Sequence, residues 1–457
     1  MFCLHRISSA CVDPFDMPES DQPAADPYRY QLGLGNFFLS ETHQGIVPWE
    51  QNTPQSVPKG LVAEQISLDR FTNPRGRNAY AWLYRLYPSI SLPQHFMRHD
   101  HSAFRLGYLI EPSPEPYRWN PLSIPQQSFD FITGLKTVGA TFKDGSAPAL
   151  THHVYAAITS MGQKAFSVLD GEVLILPESG ALDIRTEFGC LLVKPGELVV
   201  IPQGVWFSVQ LVHDAPIRGY MFINASDRLH LPDGGIVGPN GSVDPLHFKV
   251  PVASVDLSAP YELIKLSHGK LYRAKSADSP FNVFGWKGNA YPYKYDLGLF
   301  KPINYVDRDH LDPSIFTVLV SSACDVAVFP PRWNPTQHTF RPPYFHRNAR
   351  MNEFMGLIHG RYEAKADGRG GFQPGGFSMH PAGVPHGPDA ETYFRAIAED
   401  QSLSARIDHT LAFMIESEGR FMVNRRMLTS QNMGGLRQDD YAGYGAEIRT
   451  VLVKPGG

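Results

Sequence analysis

The sequence predicts a mainly β protein, and three observations support that prediction. Glycine (40 residues) and proline (39 residues) are plentiful, which favours many turns and short strands over long helices. Phe166–Val212 is a series of short Val, Ile and Leu runs, interrupted by Gly or Pro-Gly turns at about the spacing of a sandwich or barrel. A second region of this kind runs from Ile315 to His386. Clear helical patterns are few, and the best is Asp389–Asp400.

Composition limits the classes of function. The chain has 457 residues, enough for a large core and two or three structural units. The net charge is -4 and the charged residues are interspersed, which argues against a nucleic-acid partner. No window approaches the length of a membrane span, and the first residues contain no apolar core of a signal peptide. Four cysteines, none in a CxxC pair, suit a reducing compartment. We therefore expect a cytoplasmic protein with no membrane partner.

Changes in composition suggest how the chain is divided. Residues 1–28, rich in Asp, Pro and Ser after Cys11, predict a flexible N-terminal arm. Residues 29–300 predict a larger N-terminal β domain, and residues 301–457 predict a smaller C-terminal barrel. Ser279–Leu297 contains too much Trp, Tyr and Phe for a solvated linker, so we expect an ordered loop packed on a neighbour.

A weak internal repeat links the two strand-rich regions. In each copy a turn glycine precedes a buried strand, and a Pro-x-Gly turn leads into the next strand. The two copies are Gly196-x5-Pro202-x-Gly204-x2-Phe207 and Gly375-x5-Pro381-x-Gly383-x2-His386. If the repeat is real, the chain holds two related barrels, and only the second can bind a metal at this position. The alternative is that Pro-x-Gly turns recur by chance in a chain rich in both residues.

The second copy lies beside a candidate metal site. Its first motif is His346-x-Asn348-x4-Glu353-x6-Gly360, and the second motif supplies His386. Two neutral nitrogens and one anionic oxygen can hold Fe(II) on one face of an octahedron and leave three positions open. An open three-ligand site invites reaction, whereas a closed four-ligand site is structural. We expect His346 at one strand end, Glu353 at the start of the next strand and His386 on a third.

Each of these residues also has an ordinary interpretation. A single histidine such as His346 is more often a hydrogen-bonded surface or core residue than a ligand. A single Glu353 at a strand start would be solvated, and His386 would be a turn residue. The agreement of both motif spacings favours the metal site over these alternatives.

The paired motifs resemble those of the cupin superfamily, with Asn348 in place of the usual second histidine of the first motif. Longer blocks resemble the homogentisate 1,2-dioxygenase family over about Tyr30 to Phe413. The most specific of these blocks are "SPFNVFGWKGNAYPYKYDL", "FRPPYFHRN", "EFMGLIHGRYEAK" and "PHGPDAE". The resemblance implies a bicupin-like fold, in which an N-terminal β-sandwich or degenerate cupin domain precedes a C-terminal cupin barrel that carries the metal. It also implies a homo-oligomer, a trimer or hexamer.

The resemblance assigns a role to several residues. His346, Glu353 and His386 match the three iron ligands, and His386 also borders the substrate. His310 matches the active-site base and Tyr362 a substrate-binding tyrosine.

Three further residues are weaker candidates. His380 matches a histidine near the iron, and Asn348 stands where the first motif usually has its second histidine. Lys365 is a candidate for the substrate carboxylate, although a solvated lysine paired with Glu363 is the more ordinary interpretation. His310 also has an ordinary alternative as a cap of the turn before Pro313, and His380 as a core histidine.

The implied reaction is an extradiol-type ring cleavage, in which Fe(II), homogentisate and O2 give maleylacetoacetate in tyrosine and phenylalanine catabolism. Two departures from the family bear on it. Four residues separate Asn348 from Glu353 where the family has three, which we expect a bulge or longer turn to absorb. Lys287 stands where the family usually has histidine. The alternatives are a paralogue that cleaves a related, gentisate-like 2,5-dihydroxy aromatic, and a non-catalytic bicupin binding protein.

Overall fold

The structure is a computed structural model of the chain. It describes residues 26–50, 56–93, 95–101, 104, 106–233, 243–302, 313–334, 343–365, 372–429 and 433. Strands dominate these ranges, which confirms the predicted mainly β class. Most of the predicted arm (residues 1–25) and His310 lie outside the described residues. Within them, no helix has the length and hydropathy that a membrane span requires.

The strands are short and follow one another closely. The first seven strands are β1 (Tyr30–Leu32), β2 (Phe38–Glu41), β3 (Val62–Ser67), β4 (Tyr80–Arg85), β5 (Met97–His99), β6 (Leu109–Ile110) and β7 (Tyr117–Trp119). The next are β8 (Leu135–Phe142), β9 (Leu150–Ala157), β10 (Lys164–Val168), β11 (Glu172–Ser179), β12 (Leu182–Thr186), β13 (Gly189–Val193), β14 (Glu197–Ile201), β15 (Trp206–Leu211) and β16 (Ile217–Asn224).

The remaining strands continue this pattern to the end of the described chain. They are β17 (Lys249–Pro251), β18 (Tyr261–Ser267), β19 (Lys270–Ser276), β20 (Val283–Gly288), β21 (Tyr293–Asp296), β22 (Thr317–Val320), β23 (Cys324–Phe329), β24 (Arg332–Asn334), β25 (Met351–Gly360), β26 (Phe377–His380), β27 (Ala405–Ile407), β28 (Thr410–Glu418) and β29 (Arg420–Asn424). Short 3-10 helices span Pro58–Gly60, Ser89–Ser91, Leu106–Tyr108, Val212–Asp214, Pro245–His247, Leu297–Leu299, Pro313–Phe316 and Arg425–Leu428.

Two sequence predictions outside the sheets have different outcomes. The predicted helix is confirmed as α1 (Ala390–Ala398), which begins after Asp389, whose carboxylate accepts the Thr392 N–H at 2.8 Å. The prediction that Ser279–Leu297 is a loop is wrong, because this segment contains β20 and β21. Its aromatic side chains alternate with turn residues, and the turn residues concealed the strand period.

Within the described residues, the strands form five sheets. The large sheet has the order β1-β17-β21-β14-β11-β16-β9-β8-β29-β6, and the seven-stranded sheet has the order β13-β12-β15-β10-β18-β19-β5. A small sheet runs β2-β20-β4-β3, and β24 pairs with β27. The six-stranded sheet, β22-β23-β28-β25-β26-β7, contains Glu353 and His380.

The two halves of the chain exchange strands. β7, from the first half, closes one edge of the six-stranded sheet, where Trp119 lies opposite Phe377. β29, from the second half, pairs with β8 in the large sheet. Trp119 is fully buried, stacks on Phe377 with ring centroids 5.1 Å apart, and donates its indole N–H to the Met427 carbonyl at 2.8 Å. The division at residue 300 stays a prediction, and these strands pair across it.

The internal repeat is present in the backbone of the two Pro-x-Gly turns. The Val205 N–H donates to the Pro202 carbonyl at 3.2 Å, and the Val384 N–H donates to the Pro381 carbonyl at 3.0 Å. The third residue of each turn, Gly204 or Gly383, has φ of 82°. A positive φ at this position is what a type II turn requires, and glycine adopts it without strain.

Strand pairing extends the repeat to the candidate site. Phe166 lies opposite Phe207 as His346 lies opposite His386, and Val173 lies opposite Ile201 as Glu353 lies opposite His380. At these four positions the first copy is apolar where the second is polar. Its four residues are each no more than 1% exposed and belong to one hydrophobic core.

Replacement of Trp119 by alanine tests the exchange of strands. A fully buried aromatic side chain removed from a core costs about 3–5 kcal/mol of unfolding free energy. Because Trp119 contacts Phe377 and Met427 in the other half of the chain, Trp119→Ala destabilises the protein by this amount. The measurement is urea denaturation. Trp333→Ala is the control, since Trp333 is 58% exposed, and a loss equal to that of the control contradicts the prediction.

Glu172 gives a pH dependence of stability. Burial raises its pKa from 4.5 to about 7, although its carboxylate accepts the Leu229 N–H at 2.8 Å. A raised pKa means that the folded state retains the proton, so this contribution is complete below pH 4.5 and disappears as pH rises through about 7. The loss is about 3 kcal/mol. Urea midpoints at pH 5 and pH 8 will differ less in Glu172→Gln than in the native chain, and equal differences would refute the prediction.

Candidate metal centre

The three predicted ligands come from two adjoining backbone segments. Glu353 is the third residue of β25 rather than its first, and it is 2% exposed. His346 and His386 lie outside named strands, which corrects the expectation that His386 enters from a third strand. They form an isolated bridge instead, in which each N–H donates to the other carbonyl at 3.0 Å. This bridge fixes the two histidines side by side above β25.

The four-residue spacing in the first motif is absorbed by a turn. The Asn348 side-chain oxygen accepts the Met351 N–H at 3.0 Å and the Arg350 N–H at 3.3 Å. This pattern caps the turn between His346 and β25. No register shift occurs in β25 before Leu357, so the longer turn, and not a bulge, accommodates the spacing. The first copy has the same spacing, since Phe166 and Val173 are also seven residues apart.

The ligand atoms converge on one point. His386 Nε2 lies 2.7 Å from one carboxylate oxygen of Glu353, and His346 Nε2 lies 3.4 Å from the other. One donor atom from each of the three residues lies within 4.8 Å of the other two. Two imidazoles and one carboxylate form the donor set that suits a divalent iron with open positions. The residues therefore fit a metal ion.

Hydrogen bonding determines which imidazole nitrogen is available in His386. The Val384 carbonyl, 3.1 Å from Nδ1, can only accept, so Nδ1 carries the proton. Nε2 then faces Glu353, 2.7 Å from a carboxylate oxygen, and is the nitrogen available to a metal ion. Burial alone would raise the pKa of Glu353, but hydrogen bonds from His346 and His386 lower it strongly. Glu353 is therefore a carboxylate at neutral pH, and its hydrogen bond raises the pKa of His346.

His380 supports the ring of His386. The two imidazoles stack with centroids 3.9 Å apart and planes 6° apart. Burial and the neighbouring His386 lower the pKa of His380 far below its usual value, so it is neutral. His380 therefore packs against a predicted ligand without adding charge.

The predicted substrate residues lie beyond β25. The Tyr362 hydroxyl lies 3.6 Å from the sulfur of Met355, and its ring contacts Phe329 and Phe372. Burial raises the pKa of Tyr362, so the phenol keeps its proton. Lys365 donates to the Gly387 carbonyl at 2.8 Å, next to His386.

The structure shows which groups Glu363 and Lys287 contact. Glu363 pairs with Arg332 and not with Lys365. Lys287 donates to the carbonyls of Pro48 and Glu50. Lys287 thus anchors the loop after β2, and these two hydrogen bonds involve none of the predicted site residues.

Sequence reasoning missed two residues near the cluster. Glu416 lies opposite Glu353 on β28 and accepts a hydrogen bond from Asn348 at 3.3 Å. Burial, together with the charge of Glu353, raises the pKa of Glu416 to about 7. The signal was a glutamate inside the apolar run "LAFMIESE". Asn352 is 1% exposed and gave no signal, because an asparagine before a glutamate is unremarkable in sequence.

Comparison with known proteins places the chain in a family. Residues 29–297 match the family model described as "Homogentisate 1,2-dioxygenase N-terminal", and residues 298–448 match "Homogentisate 1,2-dioxygenase C-terminal". A homogentisate 1,2-dioxygenase from Dictyostelium discoideum is 44% identical over 400 residues, which cover 85% of this chain and 91% of that protein.

Solved structures give a weaker likeness. A cupin 2 conserved barrel protein from Leptotrichia buccalis is 6% identical with a TM-score of 0.30, and covers 65% of this chain and 92% of its own. A quercetin 2,3-dioxygenase from Acinetobacter baumannii is 9% identical with a TM-score of 0.28, and covers 67% of this chain and 79% of its own. The family assignment rests on the family models and the curated relative, and not on these structures.

The fold, the site and these matches together define a dioxygenase with a mainly β, bicupin-like architecture. The chain belongs to the homogentisate 1,2-dioxygenase family.

Glu353→Gln tests whether the cluster binds a metal. The amide keeps the size of the side chain but removes the negative charge and most of the donor strength, so metal affinity falls by more than the roughly 100-fold that loss of an outer-shell partner costs at most. The measurement is iron per chain by mass spectrometry after anaerobic loading and desalting. Glu418→Gln, on the same sheet, is the control and retains iron. Equal iron in both variants contradicts the assignment.

Proposed function

We propose that the chain is an Fe(II)-dependent, extradiol-type ring-cleaving dioxygenase that converts homogentisate and O2 to maleylacetoacetate in tyrosine and phenylalanine catabolism. The observation that carries the proposal is the convergence of His346, Glu353 and His386 in a chain of this family. Both atoms of O2 enter the product, so no further reductant is needed. The substrates are a small aromatic molecule and O2.

The three predicted ligands would hold the iron. When bound, Fe(II) supplies Lewis acidity toward a substrate phenolate and open positions for substrate and O2. The buried Glu353 carboxylate offsets part of the metal's charge, and the Val384 carbonyl keeps His386 in the tautomer that can bind. The stacked, neutral His380 keeps the His386 ring from rotating and adds no positive charge.

The substrate roles rest on Tyr362 and His310. Tyr362 keeps its phenolic proton because burial raises its pKa, so it donates a hydrogen bond to a substrate oxygen. His310, outside the described residues, is proposed as the base that takes the second phenol proton, because an imidazole titrates near neutral pH. Lys365 remains a proposed partner of the acetate arm, although its amine contacts the Gly387 carbonyl.

Two departures from the family had favoured a paralogue with another hydroquinone as substrate. The longer turn brings His346 to 3.4 Å from Glu353, and Lys287 contacts the loop after β2. Neither observation favours a different substrate over homogentisate. The contacts instead support the same three ligand positions that the family resemblance implies.

Location and assembly are part of the proposal. The cysteine usage supports a cytoplasmic enzyme, and Cys190 and Cys324 are free and buried. Assembly as a trimer or hexamer rests on the family resemblance, and large apolar side chains exposed on one chain would be available for contacts between chains. Among them are Trp49 at 93% exposure, Ile90 at 88% and Phe71 at 82%.

Oxygen uptake tests the reaction. Protein reconstituted anaerobically with Fe(II) consumes one O2 per homogentisate and forms maleylacetoacetate, followed by ultraviolet absorbance. Glu353→Ala abolishes both signals because the site loses its carboxylate. Iron bound without turnover of homogentisate, but with turnover of a hydroquinone that lacks the acetate arm, would replace the proposed substrate. Bound iron with no O2 uptake on any hydroquinone would overturn the reaction class.

Tyr362→Phe tests the hydrogen bond to substrate. Loss of one such bond lowers kcat/KM by about 10-fold. Steady-state kinetics with homogentisate measure the effect, and iron content stays at the native level because the residue is not a proposed ligand. Tyr87→Phe, at a 40% exposed side chain, is the control. Unchanged kcat/KM would remove Tyr362 from the proposed site.

A further inference from the structure

Asn352, adjacent to Glu353 in β25, joins three segments of backbone. Its side-chain amide donates to the Ser417 carbonyl at 2.9 Å and the Gly419 carbonyl at 3.0 Å. Its side-chain oxygen accepts the Ala382 N–H at 3.0 Å. Successive residues of a strand point to opposite faces, so Asn352 points away from the ligand cluster. It therefore contacts neither the proposed metal position nor the ligand side chains.

The hydrogen bond to Ala382 lies just beyond the end of the sheet. The pairing of β25 with β26 ends where Glu353 lies opposite His380. The next residue along the second strand is Pro381, which has no N–H to donate. The Asn352 side chain accepts the N–H of the residue after Pro381, Ala382, at 3.0 Å. This contact, which we call the Asn352 clasp, continues the link between the two segments beyond the end of the sheet.

The turn that the clasp holds leads directly to two ligands. Ala382 is the second residue of the turn from Pro381 to Val384, and this turn ends two residues before His386. The next residue, Gly383, donates its N–H to the Asn348 carbonyl at 2.7 Å, in the turn that follows His346. A continuous chain of covalent and hydrogen bonds thus links Asn352 to both histidines.

The first copy of the repeat lacks the clasp. Glu172 precedes Val173 as Asn352 precedes Glu353, and it lies opposite Asn224 as Asn352 lies opposite Ser417. The Glu172 carboxylate accepts the Leu229 N–H, not that of Gln203 in the corresponding turn. The clasp therefore occurs in the copy with the metal ligands and is missing from the described apolar copy.

We infer that Asn352 is a positioning residue for the metal centre, and that its bond to Ala382 sets the separation between the Glu353 strand and the turn that carries His386. This inference rests on the metal site of the proposed function. Ligand atoms must be held to within about 0.5 Å for a metal site to bind well. Loss of the clasp lets the turn move relative to β25, and affinity falls although all three ligands remain.

The clasp can be removed from either end. Asn352→Ala deletes the acceptor. Ala382→Pro deletes the donor and leaves Asn352 and its two other hydrogen bonds in place. Proline is favoured at the second position of a type II turn, so this substitution suits the backbone. If the Asn352→Ala variant does not fold, Ala382→Pro still tests the inference.

Each variant has a matched control. Gln203→Pro makes the same substitution in the corresponding turn of the first copy, where Gly204 has the same φ of 82° as Gly383. Asn424→Ala removes a 4% exposed asparagine that donates to the Thr137 carbonyl at 2.8 Å and accepts the Arg426 N–H at 3.0 Å. Both controls disturb equivalent local structure without touching the clasp.

The test is titration of metal-depleted protein with Co(II) and, under anaerobic conditions, with Fe(II), by calorimetry. Visible absorption of the Co(II) form reports the ligand geometry. Asn352→Ala and Ala382→Pro raise the metal Kd by about 10-fold to 100-fold. Both variants alter the Co(II) spectrum. The double variant binds metal no more weakly than the weaker-binding single variant, because both substitutions remove the same hydrogen bond between Asn352 and Ala382.

Clasp variants that bind within twofold of their controls overturn the inference, as does a double variant whose losses add. These outcomes leave the proposed function standing, since the native chain still binds metal. A native chain that binds neither Co(II) nor Fe(II) overturns the proposed function and the inference together.

Discussion

The antiparallel pairing of β25 with β26 on one side and β28 on the other is the constraint on which the candidate site depends. It places Glu353 opposite both His380 and Glu416 and buries its carboxylate. A charge at such a position is costly unless it is paired or binds a metal. The backbone bridge between His346 and His386 supplies two imidazoles within reach of that carboxylate. The sheet thus buries a carboxylate charge, and the two histidines from the neighbouring segments stabilise it.

The two copies of the repeat show how little the backbone has to change for a barrel to gain a metal site. Turn geometry, strand register and the seven-residue spacing agree between them. What differs is the side chains: Phe166, Val173 and Phe207 in one, His346, Glu353 and His386 in the other. The apolar copy stabilises the core through burial. The polar copy gives up part of that stability for a cluster whose ligands need exact placement, and the Asn352 clasp belongs to that requirement.

Much of this could be predicted from the sequence, because periodicity and turn chemistry are local. The mainly β class, the helix after Asp389 and the three residues of the cluster all follow from short patterns. The strands within Ser279–Leu297 did not, since their aromatic residues are set by packing rather than by period. Glu416 and Asn352 were missed because their contacts join residues that are far apart in sequence. Asn348 and Glu416 are 68 positions apart, and Asn352 and Ala382 are 30 positions apart. Pairing of that kind leaves no mark within a short window of sequence.

The exchange of β7 and β29 also governs how the chain can be made. β7 leaves the ribosome long before β26, its partner, and β8 waits for β29, the last described strand. Until then each presents an unpaired edge, the kind of surface that recruits other strands and leads to aggregation. Pairings so distant in sequence also close slowly, because a long loop must be ordered first. The large sheet is therefore completed only after β29 has been made, and β7 joins its sheet only after β26 has been made.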